Sequence, residues 1–465
     1  VTKNVRLNCD TKGEASFANL DENRKQNSLA KRLSPSLQPA TPSYATPATP
    51  PATFAKQNVV KQSKIATHTD SILLTQNQKK LNCIDFHQYK ILSLFSNIGV
   101  AEAYLHELGF NVVLANELEK RRADLYGKIY PHTEIINGDI TSDNVFDSIV
   151  KRSKELKVNF LMATPPCQGM STAGVQDEND ERNKLILYVI KIAKLLKPKF
   201  IFIENVPLFL STEIEYNGSK ELIPEIIRKE LGKTYRINEY VIDTKNYSVP
   251  QMRQRAILLL SSREQDLEWN LPEPDSKILT LEDAIGDLPK LDPFITDVTN
   301  EELLKIFPHF YEREKEALQI SKWHIPPHHI KRQVVVMQHT PTGKTAFDNK
   351  VFFPQKNDGA PVKGYHNTYK RQNWDTPAYA ITMDNRKISS QNNVHPGRFE
   401  YTDSKGFPVY SDARVLTLYE IMKVTSLPDN WNIPEETAEQ FLRRIIGEGI
   451  PPMFVKKVFK NLGAK

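Results

Sequence analysis

Between Tyr89 and about Arg263, short apolar runs alternate with segments of helical period, and this rhythm constrains the fold more than any other feature. The runs are KILSLFS (Lys90–Ser96), VVLANE (Val112–Glu117), VNFLMA (Val158–Ala163) and FIFIEN (Phe200–Asn205). The clearest helical stretch, ERNKLILYVIKIAKLLK, is stopped by Pro198. Strand and helix alternating at this spacing predict βαβ units, hence an α/β fold with a parallel sheet covered on both faces. INEYVID (Ile237–Asp243) and RAILLL (Arg255–Leu260) read as antiparallel additions. After about Arg263 the rhythm is lost in a basic, proline-dotted region, and helical pattern returns only in the last fifty or so residues.

A chain of 465 residues, 39% hydrophobic, is long enough for a sizeable core and two domains. Its three cysteines, Cys9, Cys83 and Cys167, include no C-x-x-C pair. A disulfide framework and a thiolate metal site are thereby excluded, and a reducing compartment is expected. No apolar run approaches the length of a membrane span, and no signal-peptide core opens the chain. Residues 1–80 read as a disordered Pro/Thr/Ala-rich tail: Ser34–Phe54 holds six prolines and no charge.

Net charge is only +6, but it is unevenly placed. From Lys322 to Arg398 there are twelve Lys/Arg against four acids, Asp348, Asp358, Asp375 and Asp384. Aromatic residues such as Trp323, Tyr365 and Trp374 are interleaved with them. Basic and aromatic side chains together suit a polyanion with stackable bases. His324, His328 and His329 lack thiolate partners and are expected as loop or phosphate-contacting residues, with no metal site.

The stretch LMATPPCQGMSTAG (Leu161–Gly174) places Cys167 behind Pro165-Pro166, which forbid continuation of the preceding strand. Its thiol is thereby expected on a stiff loop at a strand's carboxyl end, the usual ligand edge of an open α/β sheet. At the same edge, LSLFSNIGVAEAYL makes a tight turn of small residues around Gly99. Eighteen residues later stands Glu117, where a ribose-binding acid is expected, and NGDI puts Asp139 at the next strand end. Three such features in order point to an adenosine-containing cofactor. Glu204 closes FIFIEN, where a carboxylate must be paired, neutralised or functional. In QMRQR, Gln251, Arg253 and Arg255 alternate, which on a strand would set all three on one face.

A thiolate, a carboxyl group, guanidiniums and an adenosine cofactor suit methylation of a pyrimidine carbon. Thiolate attack on C6 of cytosine makes C5 an enamine carbon that can take a methyl group. A carboxyl at N3 and an arginine at O2 would stabilise the developing charge. The target atoms are inaccessible in a duplex, so the base must swing out.

At this point the chain resembles the cytosine-C5 DNA methyltransferases, over about residues 88–262 and 374–462. The motifs are LFSNIG, PPCQ, ENV, QMRQR, RVLTLYE (Arg414–Glu420) and GEGIPP (Gly447–Pro452), in the family's order. The resemblance implies a class I methyltransferase fold, a Rossmann-like doubly wound sheet, with a smaller, irregular DNA target-recognition domain. It implies S-adenosylmethionine as cofactor, Cys167 as nucleophile, Glu204 as N3 donor and Arg255 at cytosine O2, with Gln251 and Arg253 as supports. The cofactor site would draw on Phe95, Ser96, Asn97, Ile98, Gly99, Glu117, Asp139, Ile140, Pro165 and Leu185. Ser93, Asn97 and Glu448 depart from the family's usual Asp, Gly and Asn, and none of these touches the three chief catalytic positions.

The implied organisation is a first catalytic part at 84–264, a recognition domain at 265–373 and a return segment at 374–465 that completes the catalytic domain. Duplex DNA is the expected partner, and a restriction–modification setting is implied, with a possible cognate endonuclease on the same site. A monomer in the bacterial cytoplasm, without membrane attachment, is expected. A tRNA methyltransferase is disfavoured by the basic insert, and a non-catalytic DNA reader by the intact Cys167 and Glu204.

Overall fold

The computed structural model describes residues 89–166 and 180–462. The expected tail, Cys9, Cys83 and Cys167 lie outside the described residues. All the described residues fall within one compact unit.

Seven strands form the central sheet: β1 (Lys90–Leu94), β2 (Asn111–Glu117), β3 (Glu134–Asn137), β4 (Phe160–Ala163), β5 (Phe200–Asn205), β6 (Tyr235–Asp243) and β7 (Gln254–Ser262). Their spatial order is β3-β2-β1-β4-β5-β7-β6. Strands β1 to β5 pair in parallel, and β7 lies antiparallel between β5 and β6. The two late apolar runs are thus antiparallel additions. The chain works outward from β1 to β3, then crosses back to β4. A crevice therefore opens beyond the carboxyl ends of β1 and β4, where open α/β sheets bind ligands.

Both sheet faces are buried, which is why these strands read as continuous apolar runs. On one face Leu161, Ala163, Ile201 and Ile203 pack under helices α2 (Asp143–Glu155), α3 (Ile186–Leu196) and α4 (Ile223–Leu231). On the other, Phe160, Met162, Phe200 and Phe202 meet Trp269 and the helix Pro452–Asn461. The Phe459 ring of that helix lies 5.2 Å from both Phe160 and Trp269. The C-terminal helix thereby covers a sheet begun near Tyr89, a closure that sequence periodicity alone does not reveal.

A third cluster joins Ile98 and Val100 of the first turn, Leu125 and Ile129 of α1 (Lys120–Ile129) and residues from Leu281 to Ile446. A fourth is built from residues such as Ile295, Phe310, Met337, Ile388 and Val415, all between the last sheet strand and the C-terminal helices. Neither expected boundary, 264/265 or 373/374, coincides with a change of core. Trp269 packs on the sheet, while Ile388, Val394, Ala413 and Val415 pack with the insert.

Residues 265–373 are also more helical than their irregular sequence suggests, with helices at Leu281–Ile285, Asn300–Ile306, Phe310–Ile320 and Lys331–Gln338. The first is announced by a capping box, with the Thr280 hydroxyl and Asp283 carboxylate each accepting from the other's backbone N–H. Thr299 caps the second. No helix among the described residues is long and apolar enough to cross a membrane.

Candidate active site

The turn after β1 is built from left-handed backbone: φ is 58° at Phe95, 52° at Asn97 and 80° at Gly99. Asparagine tolerates that region better than most residues, so the turn keeps its shape without a glycine at 97. Gly99 has no such substitute. A Cβ there would lie 2.2 Å from Tyr130 Cε2 and 2.5 Å from Glu102 Oε2. Ser96 is buried, and its N–H and hydroxyl both donate to the Asn116 carbonyl. The Ile98 side chain is fully buried in the third cluster, which leaves only its backbone for a ligand. Phe95 packs half-buried against the cluster on the α2–α4 face.

Beneath the turn, Glu102 accepts from the Ser93 hydroxyl. Complete burial pushes this carboxyl up to about 7, despite the opposing hydrogen bond.

Glu117, at the end of β2, is the hub of the crevice edge. Its Oε2 accepts the Asn97 N–H at 2.9 Å and its Oε1 the Glu119 N–H at 2.9 Å. Burial raises its pKa in spite of these donors and nearby Arg122. The next residue, Leu118, is apolar yet 62% exposed. Two residues beyond β3, exposed Asp139 accepts the Thr141 N–H at 2.9 Å, while Ile140 turns into the core. Leu118 was not singled out in the sequence. An exposed leucine directly after a strand-end acid is the signal that could have found it.

Across the crevice, β4 ends before Thr164, whose hydroxyl donates to the Phe95 carbonyl at 3.2 Å. Pro165 is buried, and its carbonyl accepts from Asn205 Nδ2 at 3.1 Å. The Asn205 side chain thus ties the segment leading to Cys167 to the end of β5, a role its place beside Glu204 only hints at. Leu185 ends the short helix Glu181–Leu185 that leads into α3, half-buried against the α2–α4 face.

At the end of β5, Glu204 Oε1 lies 2.6 Å from Arg255 Nε on β7, both side chains nearly buried. The expectation that Gln251, Arg253 and Arg255 share one strand face requires correction, because β7 begins only at Gln254. Gln251 instead bridges to Ala378, donates to the Val424 carbonyl and accepts the Ile381 N–H. Arg253 donates to the carbonyls of Ile381 and Gly447, each at 2.8 Å, and of Glu448 at 3.1 Å. Of the three, only Arg255 faces Glu204. The other two stitch the return segment to the catalytic sheet.

The basic region divides likewise. Arg371 is fully buried and donates to the carbonyls of Met337, His395, Ser411 and Asp412. Burial lowers its pKa to about 10. His324 and His329 are buried too, so of the two expected roles, loop or phosphate contact, burial removes the second for both: His324 lies in a loop and His329 in the short strand His328–His329. His324 Nδ1 lies 2.9 Å from the Thr417 hydroxyl. His329 accepts the Val415 N–H, and burial depresses its pKa to about 3. What remains exposed is a set including Arg332, Lys344, Lys350, Lys356, Lys363, Arg386 and Lys387, with Tyr365 77% exposed among them.

The donor set fits an adenosyl cofactor. Glu117 offers two carboxylate oxygens to a diol, Leu118 an apolar face to a purine, and Asp139 an acceptor to an exocyclic amine.

Comparison with known proteins identifies the family. The C-5 cytosine-specific DNA methylase family matches residues 89–464. The Type II methyltransferase M1.HgaI of Avibacterium volantium is 42% identical over 376 residues, covering 80% of this chain and 97% of that one. M1.HphI of Haemophilus parahaemolyticus is 26% identical, covering 81% and 90%. Among solved structures, a prophage-encoded DNA modification methyltransferase from E. coli superposes with a TM-score of 0.54 at 18% identity, covering 80% of this chain and 98% of the other, and so shares the fold. This chain therefore belongs to the C-5 cytosine-specific DNA methylase family, enzymes that use S-adenosylmethionine to methylate cytosine in DNA.

Proposed function

We propose that the chain methylates C5 of a cytosine flipped out of a specific duplex site, with Cys167 as the nucleophile. The observation that carries this reading is the Glu204–Arg255 pair, held at 2.6 Å at the end of β5. A carboxyl and a guanidinium fixed side by side present one group to N3 and one to O2 of a single pyrimidine ring. Attack of the Cys167 thiolate on C6 pushes electron density toward N3 and O2, where Glu204 hydrogen-bonds and Arg255 neutralises it. C5 is thereby made nucleophilic. S-adenosylmethionine supplies the methyl group as an electrophile. Loss of the C5 proton to a base then lets the C6–S bond break, which restores the aromatic ring and the thiolate.

In the cofactor site, Glu117 receives the ribose hydroxyls, Asp139 the adenine amino group and Leu118 one face of the purine. The backbone of Phe95–Gly99, with Ser96 and Asn97, cradles the methionine end, and the backbone of Ile140 with Pro165 and Leu185 completes the walls. Gln251 and Arg253 act by holding the return segment in place. The insert, with its core between about 295 and 415, reads the DNA through its exposed basic and aromatic residues. The relatives' Type II names support a role in protecting DNA from a cognate endonuclease, and the chain acts as a cytoplasmic monomer.

Transfer of labelled methyl from S-adenosylmethionine to duplex DNA tests this directly, with tRNA and Cys167→Ser in parallel. Label on DNA with the wild type and none with the variant is expected. Label on tRNA alone would sink the assignment of the insert, and equal labelling by the variant would remove Cys167 as nucleophile.

A further inference from the structure

Two of the positions that depart from the family pattern, Asn97 and Glu448, lie 351 residues apart and touch. Asn97 Nδ2 donates to Glu448 Oε2 at 3.3 Å. Arg122, in the first turn of α1, grips the same carboxylate with Nη1 at 2.7 Å and Nη2 at 3.3 Å. From there the contacts close into a ring. Arg122 Nε donates to Glu119 Oε2 at 3.1 Å, the Glu119 N–H donates to Glu117, and Glu117 accepts the Asn97 N–H.

Glu448 is the last residue of the helix Glu439–Glu448. That is the negative end of the helix dipole, where a carboxylate is disfavoured, and two further acids stand nearby. Its partner within the helix, Arg444, reaches Glu448 Oε1 only at 3.6 Å from an exposed position, so helix stability accounts for little of it. Arg122 accounts for it: although burial opposes its charge, Glu448 holds the guanidinium pKa above its usual value. With side-chain exposures of 13% for Arg122 and 18% for Glu448, the pair is shielded enough for its geometry to be definite. The ring fixes both the peptide N–H and the side chain of Asn97, which like Phe95 holds a left-handed position in the turn without glycine's freedom.

We propose that Glu448 is a positioning residue for the cofactor turn, so that S-adenosylmethionine affinity in this enzyme depends on a side chain delivered by the return segment. Through Arg122 and Asn97 it holds the Ser96–Gly99 turn and Glu117 in mutual register. The inference rests on the reading that this turn and Glu117 hold the cofactor.

The test is equilibrium binding of S-adenosylhomocysteine to the full chain by calorimetry, with steady-state kinetics alongside. Glu448→Ala is expected to weaken binding about tenfold and to raise KM for S-adenosylmethionine similarly, with kcat and KM for DNA within about twofold of wild type. Lys128→Ala is the control. It breaks the exposed Lys128–Glu436 pair, which also joins α1 to the return segment but lies outside the ring, and it should leave binding unchanged. Asn97→Gly should weaken binding in the wild-type background and add nothing to Glu448→Ala, because both cut the same ring. If Glu448→Ala does not fold, Glu448→Gln reads the same effect in reduced size. Unchanged affinity in the Glu448 variants, an equal loss in Lys128→Ala, or additive losses would overturn the proposal. A wild type that fails to bind S-adenosylhomocysteine would instead overturn the cofactor assignment beneath it.

Discussion

Glu204 and Arg255 meet at 2.6 Å across two adjacent antiparallel strands, the one ending in the ENV motif and the other beginning in QMRQR. Each strand brings its charged residue to the same edge of the sheet, and each side chain is almost closed off from solvent. A buried charge of either sign left alone would be costly.

If the carboxyl stabilises charge developing on the pyrimidine, Glu204→Gln should lower kcat by about 10²–10³-fold. KM for S-adenosylmethionine should stay near its wild-type value, since the change is at the base pocket. Single-turnover methyl transfer measures this, and a kcat within about threefold of wild type would rule out the role.

Gly99→Ala should cost about 1–3 kcal/mol of stability and weaken cofactor binding. The residue sits at φ 80°, and the added Cβ would strike the Tyr130 ring, whose hydroxyl donates to the Gly99 carbonyl. Gly127→Ala provides the contrast. It lies inside α1 with nothing within 4 Å of its would-be Cβ, so it should gain up to about 1 kcal/mol. Urea denaturation of the two variants should move the midpoint in opposite directions.

Glu102 gives a pH dependence of definite sign. Its folded pKa, near 7, lies above the ordinary 4.5, so the folded state holds the proton more tightly. That contribution is fully present below about pH 4.5 and is lost as pH rises toward 7. Glu102→Gln should therefore melt above wild type at pH 8, by an amount corresponding to at most about 3 kcal/mol. At pH 4.5 the difference should vanish. A stability gap that does not change with pH would refute burial as the cause.

Arg253→Ala should destabilise the protein by about 2–5 kcal/mol, because carbonyls of Ile381, Gly447 and Glu448 would lose their donor. Lysine should not restore it, since one ammonium cannot reproduce a planar fork that spans two segments. The urea midpoints of Arg253→Ala and Arg253→Lys check this: both should fall, and full recovery with lysine would show that charge alone suffices.

Local pattern carried far in this chain. Apolar runs bounded by Pro165-Pro166 and Pro198 marked β4 and the end of α3, and the acids at strand ends marked Glu117 and Glu204, because a charge closing a buried run needs a reason to be there. The middle of the chain was harder. Its helices are short, two of the four have a threonine cap and two have no side-chain cap, and only a box such as Thr280–Asp283 distinguishes helix from loop.

The sequence by itself determined what depends on neighbours along the chain: strand and helix order, the positions of the reactive groups, and the class of chemistry they serve. Tertiary structure decided which of several like residues does which task. Arg255 and Arg253 are two positions apart, yet one faces Glu204 and the other braces the return segment. Arg371 belongs to a basic region and is nevertheless fully buried, serving carbonyls rather than phosphates. The physical reason is that a guanidinium's role is set by the acceptors that surround it. Those acceptors, Gly447 for Arg253 and Ser411 for Arg371, come from parts of the chain that only folding brings near.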